Sequence, residues 1–174
     1  MAHDYLPALR AAASVTRIGE VVRSAARSVT AADGATFVLR DGELCFYADE
    51  DAIAPLWKGQ RFPMTECISG WAMMARQSVC VPDIELDDRI PIAAYRPTFV
   101  RSLMMAPIDR ARPVGAIGAY WSRTGAPDPE RLAALEELAD TAADAIARVG
   151  LADAPWAPNF AVPGASLPAG AIAD

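Results

Sequence analysis

A chain of 174 residues, 53% apolar and 22% charged, has the composition of one globular domain and the length to bury about two-thirds of the surface its unfolded form would expose. A formal net charge of −6 argues against phosphate-backbone binding, which needs clustered Lys and Arg, and no apolar run approaches the roughly 20 residues of a membrane span, so neither nucleic acid nor a bilayer is an expected partner. Met1-Ala2-His3-Asp4-Tyr5 lacks the basic-then-apolar pattern of a secretory leader, so the expected compartment is the cytoplasm, where Cys45, Cys67 and Cys80 stay reduced.

From residue 4 to 29, Leu6, Leu9, Ala13, Ile18, Val21, Val22 and Ala25 recur at helical spacing and predict one amphipathic helix. Residues 35–40 and 44–47 alternate as strands, and Asp41-Gly42 between them predicts a hairpin. Between residues 48 and 64 the alternation disappears. The acidic triplet Asp49-Glu50-Asp51 is followed by Pro55, Trp57, Gly59 and Pro63, which predicts an ordered loop over a cavity mouth. A short helix over 69–75 precedes a strand at 79–81 that Pro82 stops, because proline cannot donate to a ladder. Residues 87–97 form a polar loop with one helical turn around Ala93-Ala94-Tyr95. Strands at 102–107 and 115–121 make a second hairpin across the charged turn 109–113. Asp128-Pro129-Glu130 is a helix start with Asp as N-cap, and Leu132, Leu135, Leu138, Ala142, Ile146 and Val149 carry one apolar stripe to a capping Gly150. The Ala- and Pro-rich stretch 151–174 has almost no charge and predicts a flexible tail, leaving residues 1–150 as the domain.

Five motifs in order carry a resemblance: Gly59-Gln60-Arg61-Phe62-Pro63, Ile68-Ser69-Gly70-Trp71-Ala72, Val81-Pro82-Asp83-Ile84 with Asp88-Arg89, Val100-Arg101-Ser102-Leu103 with Pro107-Ile108, and Pro113-Val114-Gly115-Ala116-Ile117-Gly118. Over residues 4–149 the chain resembles the GAF domain family, and the run from Asp49 to Ala72 looks most like GAF domains attached to bacterial histidine kinases and related signalling proteins. The resemblance implies an α/β (α+β) sandwich, GAF/PAS-like: a central antiparallel five- or six-stranded sheet, terminal helices on one face, and loops with short helices over a small-molecule pocket on the other. It implies a sensory module that binds a small molecule in an apolar pocket and signals through its terminal helices. A homodimer through those helices, with Ala139, Ala142, Ala143 and Ala147 permitting close contact, and a histidine kinase or similar partner go with it. Phe37, Tyr47, Trp57, Cys67, Trp71 and Tyr95 are the candidate ligand-binding residues, although core packing explains the aromatic ones equally well. Gly70 allows the small helix to approach the sheet, and Asp83 and Arg89 pair to fix the long loop.

Reactive chemistry is mostly excluded. With His3 as the sole histidine, zinc hydrolysis and Ser-His-Asp catalysis lack their imidazole. No bilin or haem anchor, cyclic-nucleotide pattern or glycine-rich phosphate loop stands in the expected places, so no metal, haem or bilin is expected. The free methionine-R-sulfoxide reductases of this fold place a cysteine where Ser69 stands and another in the loop 87–97, which has none. Cys67, near a helix N-terminus, keeps a thiol-dependent reductase as the enzyme alternative. A structural GAF without ligand is the third reading. Cys45 and Cys80 read as small buried apolar residues, and the hollow is expected to contain no reactive group.

Overall fold

The computed structural model describes residues 4–125 and 128–151. The elements run α1 (Leu6–Ala11), α2 (Val15–Thr30), β1 (Gly34–Asp41), β2 (Leu44–Ala52), β3 (Arg61–Pro63), α3 (Ile68–Ala75), β4 (Val79–Val81), α4 (Ile92–Tyr95), β5 (Ser102–Ile108), β6 (Gly115–Trp121) and α5 (Pro129–Val149), with 3-10 turns at Met64–Glu66 and Ile84–Leu86. The six strands form one sheet in the order β3-β2-β1-β6-β5-β4, antiparallel throughout.

Strand alternation sorts this sheet into two cores. On one face Ala35, Phe37 and Leu39 of β1, Ile117 and Ala119 of β6, and Met104 and Ala106 of β5 meet α2 and α5. On the other, Val38, Ala116, Tyr120, Leu103 and Met105 meet α3 and the loops that follow β2 and β4. Both faces are covered, so β5 and β6 are buried along their whole length.

The single helix expected over 4–29 is two. Ser14 adopts an extended backbone and its Oγ accepts from Arg17 N–H at 3.1 Å, so it caps α2 and breaks the run after Ala11. Arg148, near the end of α5, holds this break: its guanidinium donates to the carbonyls of Leu9 and Ala12, each at 2.9 Å. At the other end of α5 the predicted cap is present, with Asp128 accepting from Glu130 and Arg131 N–H. Of the small residues proposed for a helix contact, Ala139 and Ala142 are buried in the chain's own core, Ala143 is half-buried, and Ala147 is exposed.

Both hairpins form. Asp41 pairs with Leu44 across a two-residue turn whose first member, Gly42, takes φ of 60°. β2 runs five residues beyond its expected end because a bulge interrupts its pattern: Phe37 pairs with Asp49 and Val38 with Tyr47, so Ala48 is the extra residue. Beyond the bulge the acidic triplet alternates. Asp49 pairs with Arg23 of α2 at 2.6 Å and with Lys58 at 2.8 Å, and Asp51 pairs with Arg27 of α2 at 2.6 Å. Glu50, between them, points to the opposite face.

Two local expectations change. Asp83 does not pair with Arg89; it caps the turn Ile84–Leu86 by accepting from Glu85 N–H at 3.0 Å, while Arg89 binds Asp87 at 2.9 Å. Gly70 is required by the turn before its own helix rather than by the sheet, since a Cβ there would lie 1.9 Å from the Met64 carbonyl oxygen. The stretch 151–174, apart from Leu151, and His3 lie outside the described residues.

Candidate functional site

β2 supplies the inner wall of the site. Its alternation sends Cys45 and Tyr47 to the face opposite the helices, and after the bulge Glu50 joins that side. The roof is the segment that follows β2. Glu50 carboxylate oxygens accept from the backbone N–H of Leu56 (3.0 Å), Trp57 (2.9 Å) and Lys58 (2.9 Å), which fixes three consecutive residues of an otherwise irregular loop. Trp57 is thereby set into the middle of the site. Its ring meets Tyr95 at 4.8 Å and Tyr47 and Tyr120 at 5.5 Å, all edge-on, and its indole N–H donates to the Ala94 carbonyl at 3.2 Å. Edge-on aromatic contacts of this kind each add about 1 kcal/mol beyond burial.

Deeper in, polar atoms are paired. Tyr120 Oη and Thr36 Oγ1 lie 2.9 Å apart with both residues fully buried, and Tyr47 Oη lies 3.0 Å from Ser69 Oγ. Burial holds the hydroxyls of Tyr47, Tyr95 and Tyr120 above the ordinary phenol range, so all three are neutral hydrogen-bonding groups.

The aromatic side chains fill most of the hollow. What remains beside Tyr47, Trp57, Phe62, Cys67 and Tyr95 is about 10 Å³, room for one water. Outside it, a groove of about 310 Å³ runs along Pro55, Leu56, Trp57, Gln60, Phe62 and Thr98. Trp57, Phe62 and Ala94 border both spaces, so they form the partition between groove and interior.

Cys67, one of the candidates from the sequence, borders this hollow, and Cys45 lies in the same core. The β2–β3 pairing sets Cys45 opposite Phe62, and the chain then turns through Met64–Glu66 to bring Cys67 back to the same wall. Cys67 Sγ lies 3.3 Å from Ser69 Oγ. Cys67 is also the N-cap of α3. The Cys45 hydrogen bond, against the cost of burial and with help from Ser69 and the Gly70 N–H, holds the Cys67 thiol down to about 7. The same contact together with burial pushes Cys45 up. Cys45 is fully buried in this core as a small residue, whereas Cys80 stands half-buried on the helix side of the sheet.

Of the six candidate residues, Tyr47, Trp57, Cys67 and Tyr95 come together. Phe37 does not; it projects to the helix face, where its ring lies over Gly19. Trp71 packs against the rim of this core from outside, with the Arg89 guanidinium 4.5 Å above its ring. Sequence reasoning missed Glu50, Ser69, Tyr120 and Thr36 as members. Period-two alternation within β1 and β6 was the available signal for Thr36 and Tyr120. Among the described residues no group of three or more His, Cys, Asp or Glu side chains gathers to hold a metal, and no helix is long and apolar enough to cross a membrane.

Solved structures share this architecture. Free methionine-R-sulfoxide reductase from Neisseria meningitidis, in complex with its substrate, superposes with a TM-score of 0.72 at 18% identity, over 85% of this chain and 87% of that one. The GAF domain of an Acinetobacter phosphoenolpyruvate-protein phosphotransferase gives 0.73 at 12% identity, over 84% and 90%. The chromophore-binding domain of a bacteriophytochrome from R. palustris gives 0.71 at 15% identity, over 85% of this chain and 59% of that one. At these identities the likeness is one of fold. No curated protein matches the sequence. The family model for the GAF domain matches residues 12–147, most of the chain. With the six-stranded antiparallel sheet, helices on one face and a roofed site on the other, this chain belongs to the GAF domain family, a family of sensory domains that often bind small molecules.

Proposed function

We propose that this domain is a non-catalytic sensor for a small, largely apolar molecule, which enters by the groove and seats against Trp57. The observation that carries the reading is the position of Trp57 at the partition between a 310 Å³ groove and a nearly filled interior, on a loop held by one carboxylate. A groove of that volume lies at the lower end of small-molecule sites, and Gln60 and Thr98 supply the few polar groups such sites use for orientation. Occupancy reaches the other face of the sheet through β2, which contacts the roof with Glu50 and α2 with Asp49 and Asp51. A ligand that favours one arrangement of this strand shifts the terminal helices by its differential affinity. The output is a homodimer through those helices, or a histidine kinase or similar signalling protein in the cytoplasm.

Native mass spectrometry of the purified chain, followed by a ligand-observed NMR screen of small aromatic and aliphatic fragments, tests the reading. Bound mass or fragment binding that Trp57→Ala alters is expected. A chain that carries nothing and binds no fragment is instead a ligand-free structural module. Light scattering across micromolar concentrations tests the dimer, and a constant monomer mass removes it.

A second reading has one observation in its favour. Cys67, whose Sγ lies 3.3 Å from Ser69 Oγ at the edge of the hollow, favours thiol-dependent chemistry in a fold shared with a methionine-sulfoxide reductase. Turnover of free methionine-R-sulfoxide with a thiol reductant, lost in Cys67→Ser, would replace the sensor reading with this one.

A further inference from the structure

A second cavity, of about 90 Å³, lies on the helix side of the sheet, at the end away from the two hairpin turns. Strand register builds its floor. Cys80 of β4 pairs with Met104 of β5, and Ser102 of β5 pairs with Trp121 of β6, so alternation brings these side chains to the face that α5 covers. Met104 and Trp121 give that floor buried apolar surface. The chain that follows β6 forms the rim and is tied back to the sheet twice. The buried Ser102 hydroxyl donates to the Arg123 carbonyl at 2.7 Å, and Gly125 N–H donates to the Pro82 carbonyl at 3.0 Å. Arg123 is thus fixed at its backbone while the residue itself stays exposed.

The charges of the lining do not cancel, because it carries Arg123 and Arg131 against Asp128 alone. Asp128 is moreover engaged at the start of α5, where it accepts from Glu130 N–H at 3.0 Å and Arg131 N–H at 3.4 Å and pairs with Arg131 Nε at 3.3 Å. Asp33, whose field reaches Arg123, is held by the Ser122 N–H and hydroxyl, each at 2.8 Å. The result is a surplus guanidinium beside a small apolar floor.

We propose that this cavity is a binding site for a short-chain aliphatic monocarboxylate, with the carboxylate on Arg123 and the chain against Met104 and Trp121. A planar carboxylate matches the guanidinium fork, whereas a neutral molecule of the same shape leaves the cation unused and a bare inorganic anion leaves the floor unused. At about 10–15 Å³ for each water-sized group, the space takes a chain of about three or four carbons with its carboxylate. Because Arg123 is exposed, salt screens the contact and the affinity belongs in the millimolar range. The site borders the first turn of α5, so an acid bound there acts on a terminal helix without passing through β2. It lies on the opposite face of the sheet from the Trp57 groove, and neither site requires the other.

The test titrates the full chain at pH 7 with sodium butyrate in place of sodium chloride at constant ionic strength, read by amide and indole shifts in proton–nitrogen NMR spectra. Saturable shifts are expected at Cys80, Ser102, Met104, Gly125 and the Trp121 indole N–H. Butan-1-ol and inorganic phosphate are each expected to bind more weakly than butyrate by at least about tenfold, the loss of one hydrogen-bonded charge or of the apolar contact. Arg123→Gln is expected to weaken butyrate to the level of butanol, and Arg112→Gln, on an exposed turn at the other end of the sheet, to leave it unchanged. If Arg123→Gln does not fold, the comparison of butyrate, butanol and phosphate on the wild-type chain decides alone. Shifts that do not saturate, shifts at Trp57 and Gln60 instead, butanol or phosphate binding as tightly as butyrate, or equal losses in the two arginine variants would each overturn the proposal.

Discussion

Replacing Glu50 by Ala removes the one carboxylate that organises the roof. Three backbone donors lose an ionised acceptor at 2.9–3.0 Å, and they do not lose it equally. Lys58 N–H is on the exposed side and turns to water, whereas Leu56 and Trp57 belong to buried residues and their N–H groups are partly shielded. A shielded donor left without a partner costs about 1–3 kcal/mol, so the two together cost about 2–4 kcal/mol after partial rehydration. For a domain of this size that is a fall in Tm of roughly 5–15 °C. Glu50→Gln separates the contributions. Placed on the side of Oε2, its amide oxygen keeps Trp57 and Lys58 and loses Leu56, so about half of the loss is expected to return. Urea unfolding at pH 7 followed by far-UV circular dichroism measures both variants. Tryptophan emission of the folded Ala variant is expected to shift to the red as Trp57 meets water. A Glu50→Ala protein within about 0.5 kcal/mol of wild type would show that the loop holds itself and that the carboxylate is incidental.

Gly70→Ala is expected to be severe, because its Cβ would lie 1.9 Å from a backbone oxygen that only a shift of the Met64–Glu66 turn can relieve; a soluble variant with unchanged Tm would refute the packing. Tyr120→Phe and Thr36→Val each break the buried 2.9 Å contact and leave one hydroxyl unpaired, at about 1–3 kcal/mol apiece. The double variant is expected to cost clearly less than the sum, and strict additivity in denaturation would show that the pair is not coupled. For Cys67, a folded-state value of about 7 against the ordinary 9.0 means that folding is linked to proton release. Its stabilising contribution is present above pH 9, declines as pH falls through about 7, and vanishes in Cys67→Ser. Alkylation of the native protein by iodoacetamide is expected to rise at Cys67 between pH 6 and 8, and a rise seen only above pH 8.5 would contradict the shift.

Most of the fold is legible where one local rule decides. β5 and β6 read as strands because a turn with Asp109 and Pro113 divides two short apolar runs, and α5 reads as a helix because Asp128 caps it and Gly150 closes it. The extension of β2 was hidden because its bulge shifts the alternation at Ala48, and because three acidic residues look like loop until Arg23, Arg27 and Lys58 are brought to them. β3 has three residues, ends in proline and pairs along one edge only, so it carries no periodic signal. In the site, aromatic character identified Tyr47, Trp57 and Tyr95 but could not assign a face, and register sent Phe37 to the other core. That Cys45 and Cys67 share one core depends on a pairing between strands and a turn of 3-10 helix, both non-local or too short to read in sequence.

The guanidinium of Arg148 spans a junction as well as closing a helix end. By holding the carbonyls of Leu9 and Ala12 at the end of α1, just before the break to α2, it couples the last turn of α5 to the first kink of the chain with no strand in between. A rotation of α5 about its own axis must therefore either carry that kink along or surrender two hydrogen bonds. The two helical ends behave as one clasp.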